Sequence, residues 1–327
     1  MNTKRQSILR IASLSLATLL PSIGKAQSDW PKQPVKMILP YPPGGATDRL
    51  ARIVATRLSV ELGQPVIVDN RPGATGALGS SVVANAAPDG YTLLVGFLGS
   101  MILLPLLNKR LTYDGHRDFK AVGKLATYDF VIVARPSLPV FDLASVLALA
   151  RSRPQSVAYG STGVGSPGHM ALEDIGKRAK VELRHVPYKG DQAMLTDLLG
   201  NHIEMGVLTL TVAEPHLKAG KLKAIAIATS RRSSKIPATP TLAEAGYPEA
   251  GFETWAGLMA PKATPDAIVS RLDAALLQVL KDAKVQAELA EGGFTPAYSG
   301  PAVFAKLMDD DRTRYAQIIE KLSIQID

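Results

Sequence analysis

Two glycine-rich turns carry the residue types and spacing that suit capture of a small anion. The first is Pro43-Gly44-Gly45-Ala46-Thr47-Asp48. The second runs Gly160-Ser161-Thr162-Gly163-Val164-Gly165-Ser166-Pro167-Gly168-His169. Glycine lets a backbone approach a ligand closely, and the first turn of a helix leaves several N–H groups without partners. With the positive end of the helix dipole, those donors favour a carboxylate. The hydroxyls of Thr47, Ser161, Thr162 and Ser166 would add to them. His169 stands next to the second turn, and Lys189-Gly190 forms a third turn ahead of a helix. Tight turns that only cap a helix share this pattern, so the three turns must be placed before they carry weight.

Other chemistries fit less well. Gly163, Gly165 and Gly168 spell G-x-G-x-x-G, the dinucleotide fingerprint. The acid that should follow about 20 residues later is represented only by Glu182, which precedes the next strand instead of ending it. No Gly-Lys-Ser/Thr completes a phosphate-binding loop, and no G-x-S-x-G forms a nucleophile elbow. Ser100, Ser161 and Ser166 are therefore nucleophiles only in the sense that any serine is. The five histidines (116, 169, 185, 202, 216) lack H-E-x-x-H or paired ligand spacing. With zero cysteines, thiolate metal sites, disulfides and cysteine nucleophiles are excluded. No cofactor-binding pattern remains. Trp255 reads as core, and Arg49 as a solvated cation near a helix start, where the dipole disfavours it.

The turns must be held by alternating strands and helices. Val35–Leu39 reads as a buried strand, and Asp48 as the N-cap of a helix with Leu50, Ile53, Val54 and Leu58 on one face. Gly63 stops that helix. Strands are expected at Val66–Val68, Tyr91–Val95, Val131–Ala134, Val157–Tyr159, His185–Pro187, Ile203–Leu208 and Ala224–Ala228, with helices between. This alternation argues for an α/β architecture with mostly parallel sheets. Pro265 to Leu289 reads as one long amphipathic helix and Ala302 to Leu322 as another.

The 327 residues are enough for two cores, and 46% hydrophobic content is too high for a disordered chain. Lys4, Arg5 and Arg10 precede the apolar run Ile11–Leu20, and Gly24-Lys25-Ala26 offers small residues for cleavage. Residues 1–26 thus read as a secretory signal peptide, cut after Ala26, which places the protein in a bacterial periplasm. Removing them lowers the net charge from +8 to +4, with 33 basic against 29 acidic residues remaining. So mild a balance, without a Lys/Arg block, argues against nucleic acid.

In this order the motifs resemble the solute receptors of tripartite tricarboxylate transporters, the TctC or Bug family. The matching stretches are Trp30-Pro31, Tyr41 to Asp48, Asn70-Arg71-Pro72-Gly73-Ala74, Pro88-Asp89-Gly90-Tyr91-Thr92-Leu93-Leu94 and Tyr159 to His169. Val186-Pro187-Tyr188-Lys189-Gly190, Lys218-Ala219-Gly220-Lys221-Leu222, Pro240 to Gly246, and Trp255-x-Gly257-Leu258-x-Ala260-Pro261 complete the set. The resemblance implies a type II periplasmic-binding fold: two α/β domains around a ligand cleft, with the chain crossing twice. Residues 27–130 plus 252–327 would form domain 1, and 131–251 domain 2. It implies a non-enzymatic receptor that captures a di- or tricarboxylate, acidic amino acid or aromatic acid between two glycine-rich loops. The ligand-binding set would be Tyr41, Gly45, Ala46, Thr47, Asp48, Ser100, Ser161, Thr162, Gly163, Ser166, His169, Lys189 and Gly190. The partners would be the membrane subunits of a transporter, or a sensor kinase, with the receptor a monomer. The competing class is an exported serine hydrolase using Ser161 or Ser166 with His169. One departure stands out: where the family carries Gly-Gln-x-Asp-x-x-Phe-Asp, this chain reads Gly200-Asn201-His202-Ile203-Glu204-Met205-Gly206-Val207-Leu208-Thr209. Loss of the second acid favours a less polar ligand tail.

Overall fold

The computed structural model describes residues 30–322. The expected signal peptide lies outside the described residues. The first half of the chain runs β1 (Val35–Leu39), α1 (Ala46–Leu62), β2 (Val66–Asn70), α2 (Ala77–Ala84), β3 (Thr92–Phe97), α3 (Leu104–Leu107) and β4 (Phe119–Tyr128). The middle is β5 (Phe130–Ala134), α4 (Leu143–Ser152), β6 (Ala158–Ser161), α5 (Pro167–Ala179), β7 (Arg184–Pro187), α6 (Asp191–Leu199), β8 (Met205–Thr209), α7 (Leu210–Lys218) and β9 (Lys223–Ile227). The end is β10 (Thr254–Pro261), α8 (Asp266–Lys281), α9 (Ala283–Glu291), β11 (Phe294–Ser299) and α10 (Pro301–Leu322).

The strands make two sheets, β11-β4-β10-β3-β1-β2 and β7-β6-β8-β5-β9. The chain passes from the first to the second at Asp129 and returns between Ile227 and Thr254. The class is α/β, as expected, with helices interleaved among the strands of both sheets. The sheets are mixed, where alternation alone suggested mostly parallel pairing. β1 runs parallel to β2 and β3, and β6 to β7 and β8. The exceptions include the strands at the crossings: β10 is antiparallel to β3 and β4, and β5 is antiparallel to β8 and β9. A strand entering a sheet directly from the other has no crossover helix to reverse it, so it joins antiparallel.

Each sheet buries its helices by simple patterning. Leu50, Val54 and Leu58 recur on one side of α1 and are fully buried with Met37, Ile38 and Leu39 of β1. Each such side chain is worth about 1.5–3 kcal/mol. Gly257 shows how tightly α10 docks: a Cβ there would stand 2.1 Å from the Phe304 ring. The helix expected over 265–289 is broken at Asp282, which leaves helical geometry (ψ 119°) and caps α9 by accepting from Lys284 N–H at 2.7 Å. A short carboxylate competes for backbone donors and so starts a new helix instead of continuing the old one.

Candidate functional site

Between the two sheets lies a cavity of about 240 Å³. An apolar cavity of about 150 Å³ already holds benzene, so this one has room for a substituted ring or a short chain. Its walls are aromatic: Tyr41 and Phe97 meet edge to face at 5.0 Å, and Tyr128 and Phe130 lie 5.5 Å apart.

Two helices open onto it, one from each sheet. Gly45 is the N-cap of α1 in extended conformation with no side-chain cap, so the first-turn amides keep no side-chain acceptor. Gly45, Ala46 and Thr47 all line the cavity. Opposite them, Gly190 caps α6, again without a side chain, at φ 153°, which glycine tolerates and L side chains rarely adopt. Gly190, Asp191, Gln192 and Ala193 line the same space. Lys189, exposed, joins the lining and makes no ion pair among the described residues.

Of the thirteen residues singled out in the sequence, Tyr41, Gly45, Ala46, Thr47, Thr162, Lys189 and Gly190 line this cavity. The other six, Asp48, Ser100, Ser161, Gly163, Ser166 and His169, do not. Asp48 lies inside the helix, not at its N-cap: Gly44 N–H and Arg52 Nε donate to its Oδ2 at 3.1 and 2.9 Å, and Asn70 Nδ2 to its Oδ1 at 3.0 Å. Burial alone would raise this carboxyl, but those donors outweigh it and hold it low. Asn70 also donates to the Tyr41 carbonyl at 3.0 Å, so the pair braces the first turn from behind. Ser100 is buried; its carbonyl accepts from Tyr113 Oη at 2.6 Å.

The second turn spends its donors on itself. Gly163 N–H donates to Ser161 Oγ at 3.2 Å and Gly165 N–H to His169 Nδ1 at 3.2 Å. Ser166 Oγ caps α5 and donates to Ser161 Oγ at 3.1 Å. Ser161 Oγ also lies 2.7 Å from His185 Nε2, whose ring stacks at 4.1 Å on His169. Burial first, then the neighbouring His169, push His185 down to about 3, so the ring is neutral. A buried serine beside a neutral imidazole resembles a catalytic pair. Yet Ser161 and Ser166 are 0% and 1% exposed, and both hydroxyls are engaged within the turn itself.

Sequence reasoning missed Asp191. Its Oδ2 accepts from Thr209 Oγ1 at 2.6 Å and Thr209 N–H at 3.2 Å. An acid thus reaches the end of β8 from the start of α6. Burial pushes the Asp191 carboxyl up to about 6, although Thr209 opposes the shift. The signal that pointed to it was its position after Lys189-Gly190, one residue into a helix.

The chain matches the family model for the tripartite tricarboxylate transporter family receptor over residues 50–324. It belongs to this family. BugT of Bordetella pertussis is 32% identical over 320 residues, covering 98% of each chain. Among solved structures, a Rhodopseudomonas palustris protein determined with adipate is 32% identical, with a TM-score of 0.84 over 90% of this chain and 99% of that one. MatC from the same organism, with bound malate, is 32% identical with a TM-score of 0.82, covering 89% of this chain and all of MatC. Receptors of this family bind small carboxylates and are solute-binding proteins, not enzymes. Among the described residues no helix is long and apolar enough to cross a membrane, and no cluster of potential ligands could hold a metal ion.

Proposed function

We propose that the protein captures a small carboxylate in the cavity between its two sheets and presents it to a tripartite tricarboxylate-type membrane transporter. It would act in the periplasm as a monomer, after loss of residues 1–26, and make or break no bond. The observation that carries this reading is the convergence of two uncapped helix starts, α1 at Gly45–Thr47 and α6 at Gly190–Ala193, on one apolar cavity. Each presents backbone donors and a partial positive charge of about +0.5. An anion between them satisfies both at once. Residues 27–130 with 252–327, and residues 131–251, then act as the two jaws. Binding favours the closed arrangement because only there do both sets of donors reach the ligand. Malate and adipate in the related structures support the ligand class.

The test is thermal unfolding of the protein lacking residues 1–26 against mono-, di- and tricarboxylates. A ligand at 100 times its dissociation constant adds about 2.7 kcal/mol, a rise of roughly 5 °C or more for a chain of this size. The reading predicts such a rise for at least one carboxylate, lost in Gly45→Val. Rises that survive Gly45→Val would count against it.

A further inference from the structure

We infer that Asp191 selects, within the carboxylate reading above on which this rests, ligands that also carry an ammonium group: small aminocarboxylates with an apolar body. Asp191 as a residue is half-buried, but its carboxyl is buried, and Oδ1 is closed to water with no hydrogen-bond partner among the described residues. The other oxygen is already held by Thr209 from two directions. Buried acceptors are almost always paired, because desolvation without a partner is costly. Lys189 lines the same cavity but forms no ion pair with Asp191 among the described residues, so the missing donor does not come from it.

The surroundings specify what kind of donor fits. Tyr41, Phe97, Tyr128 and Phe130 wall the cavity, and Tyr41 and Tyr128 lie near enough for the Asp191 charge to raise both phenols, after burial itself. Aromatic rings beside a carboxylate attract a cation through their faces. A second carboxylate on the ligand meets a like charge there and is rejected unless it binds a proton. Above about pH 6 the Asp191 anion predominates, and its place in the first turn of α6 favours that charge. One end of the ligand is thus held as an anion by backbone amides, and the other as a cation by Asp191 and the rings.

The experiment is calorimetric titration of the protein at pH 7.5 with five probes. Phenylalanine and 5-aminopentanoate carry both charges; 3-phenylpropanoate, pentanoate and glutarate carry no ammonium. The inference predicts that at least one zwitterion binds about tenfold or more tightly than its match without the amine, as expected for a charged hydrogen bond. Asp191→Asn, which keeps the shape and the Thr209 contacts, should erase that preference and improve glutarate binding. Plain acids binding as well as or better than the zwitterions would overturn the inference while leaving the carboxylate reading intact, with Asp191 facing only a trapped water. No binding by any probe would count against both. The wild-type comparison decides the matter even if the variant fails to fold.

Discussion

Thr75 Oγ1 donates to the carbonyl of Val164 at 3.0 Å, joining two loops 89 residues apart in the chain. Thr75 follows β2 of the first sheet, and Val164 lies in the turn after β6 of the second. Gly163 makes the contact possible: a Cβ there would stand 2.5 Å from Thr75 Oγ1. The glycine-rich turn that looked like a ligand cradle is in this structure a contact between loops of the two sheets.

That bond should act on affinity without touching the ligand. Removing one hydrogen bond across the cleft costs the closed form about 1 kcal/mol, or roughly fivefold in affinity. Thr75→Val is expected to weaken binding of whichever carboxylate proves tightest by that factor, with little change in the unfolding midpoint of the free protein. Titration calorimetry on the variant checks it, and unchanged affinity would remove the loop contact from the closing mechanism.

Gly45 offers the opposite case, a change in the site with little structural cost. A Cβ at this position meets nothing within 4 Å, and its φ of −84° suits any residue. Gly45→Val should fold with a loss of about 1 kcal/mol or less, the cost of a poorer N-cap. Its side chain would stand at the mouth of the α1 amides. Equilibrium urea unfolding measures the first quantity, and loss of every ligand-induced midpoint shift tests the second.

Two groups contribute to the acid side of the stability profile with opposite sign. His185 has a native value of about 3 against an ordinary 6.5, so between those limits the unfolded chain binds more protons. Its contribution is whole above pH 6.5 and is lost as pH falls toward 3. Asp191, at about 6 against 3.8, behaves the other way: the native state binds more protons in that window and gains as pH falls. His185→Gln should therefore flatten the loss of stability between pH 6.5 and 4.5, whereas Asp191→Asn should steepen it. Urea midpoints at pH 7, 5.5 and 4.5 read both slopes, and parallel profiles for the three proteins would contradict the assignment.

Packing sets a further expectation. Gly257→Ala would place a methyl group 2.1 Å from the Phe304 ring, in a strand already pinned between β3 and β4. Overpacking of this kind costs about 1–3 kcal/mol. Adding Phe304→Leu should recover part of it, as a double-mutant cycle by denaturant unfolding would show.

The sequence carried most of the strands, because runs such as Val35–Leu39 and Val131–Ala134 are apolar, short and bounded by turn residues. It carried the glycine turns ahead of both helices that open on the cavity, but set the first N-cap at Asp48 where the structure has Gly45. β4, β10 and β11 were not legible. Trp255-Ala256-Gly257 pairs with strands far away in the chain, and no local period records that. Nor did spacing show that Ser161, Ser166 and His169 would satisfy one another. Whether a donor faces a ligand or its neighbour is decided by tertiary geometry, as it is for Asp191 and Thr209.

A crystal structure of the protein with its tightest-binding carboxylate tests the central claim most directly. The carboxylate oxygens are expected within about 3 Å of the amides of Ala46 or Thr47 on one side and of Gln192 or Ala193 on the other, the usual N–H···O distance. A ligand bound elsewhere, or one whose carboxylate touches only one of the two helix starts, would contradict the claim that the paired helix ends form the clamp.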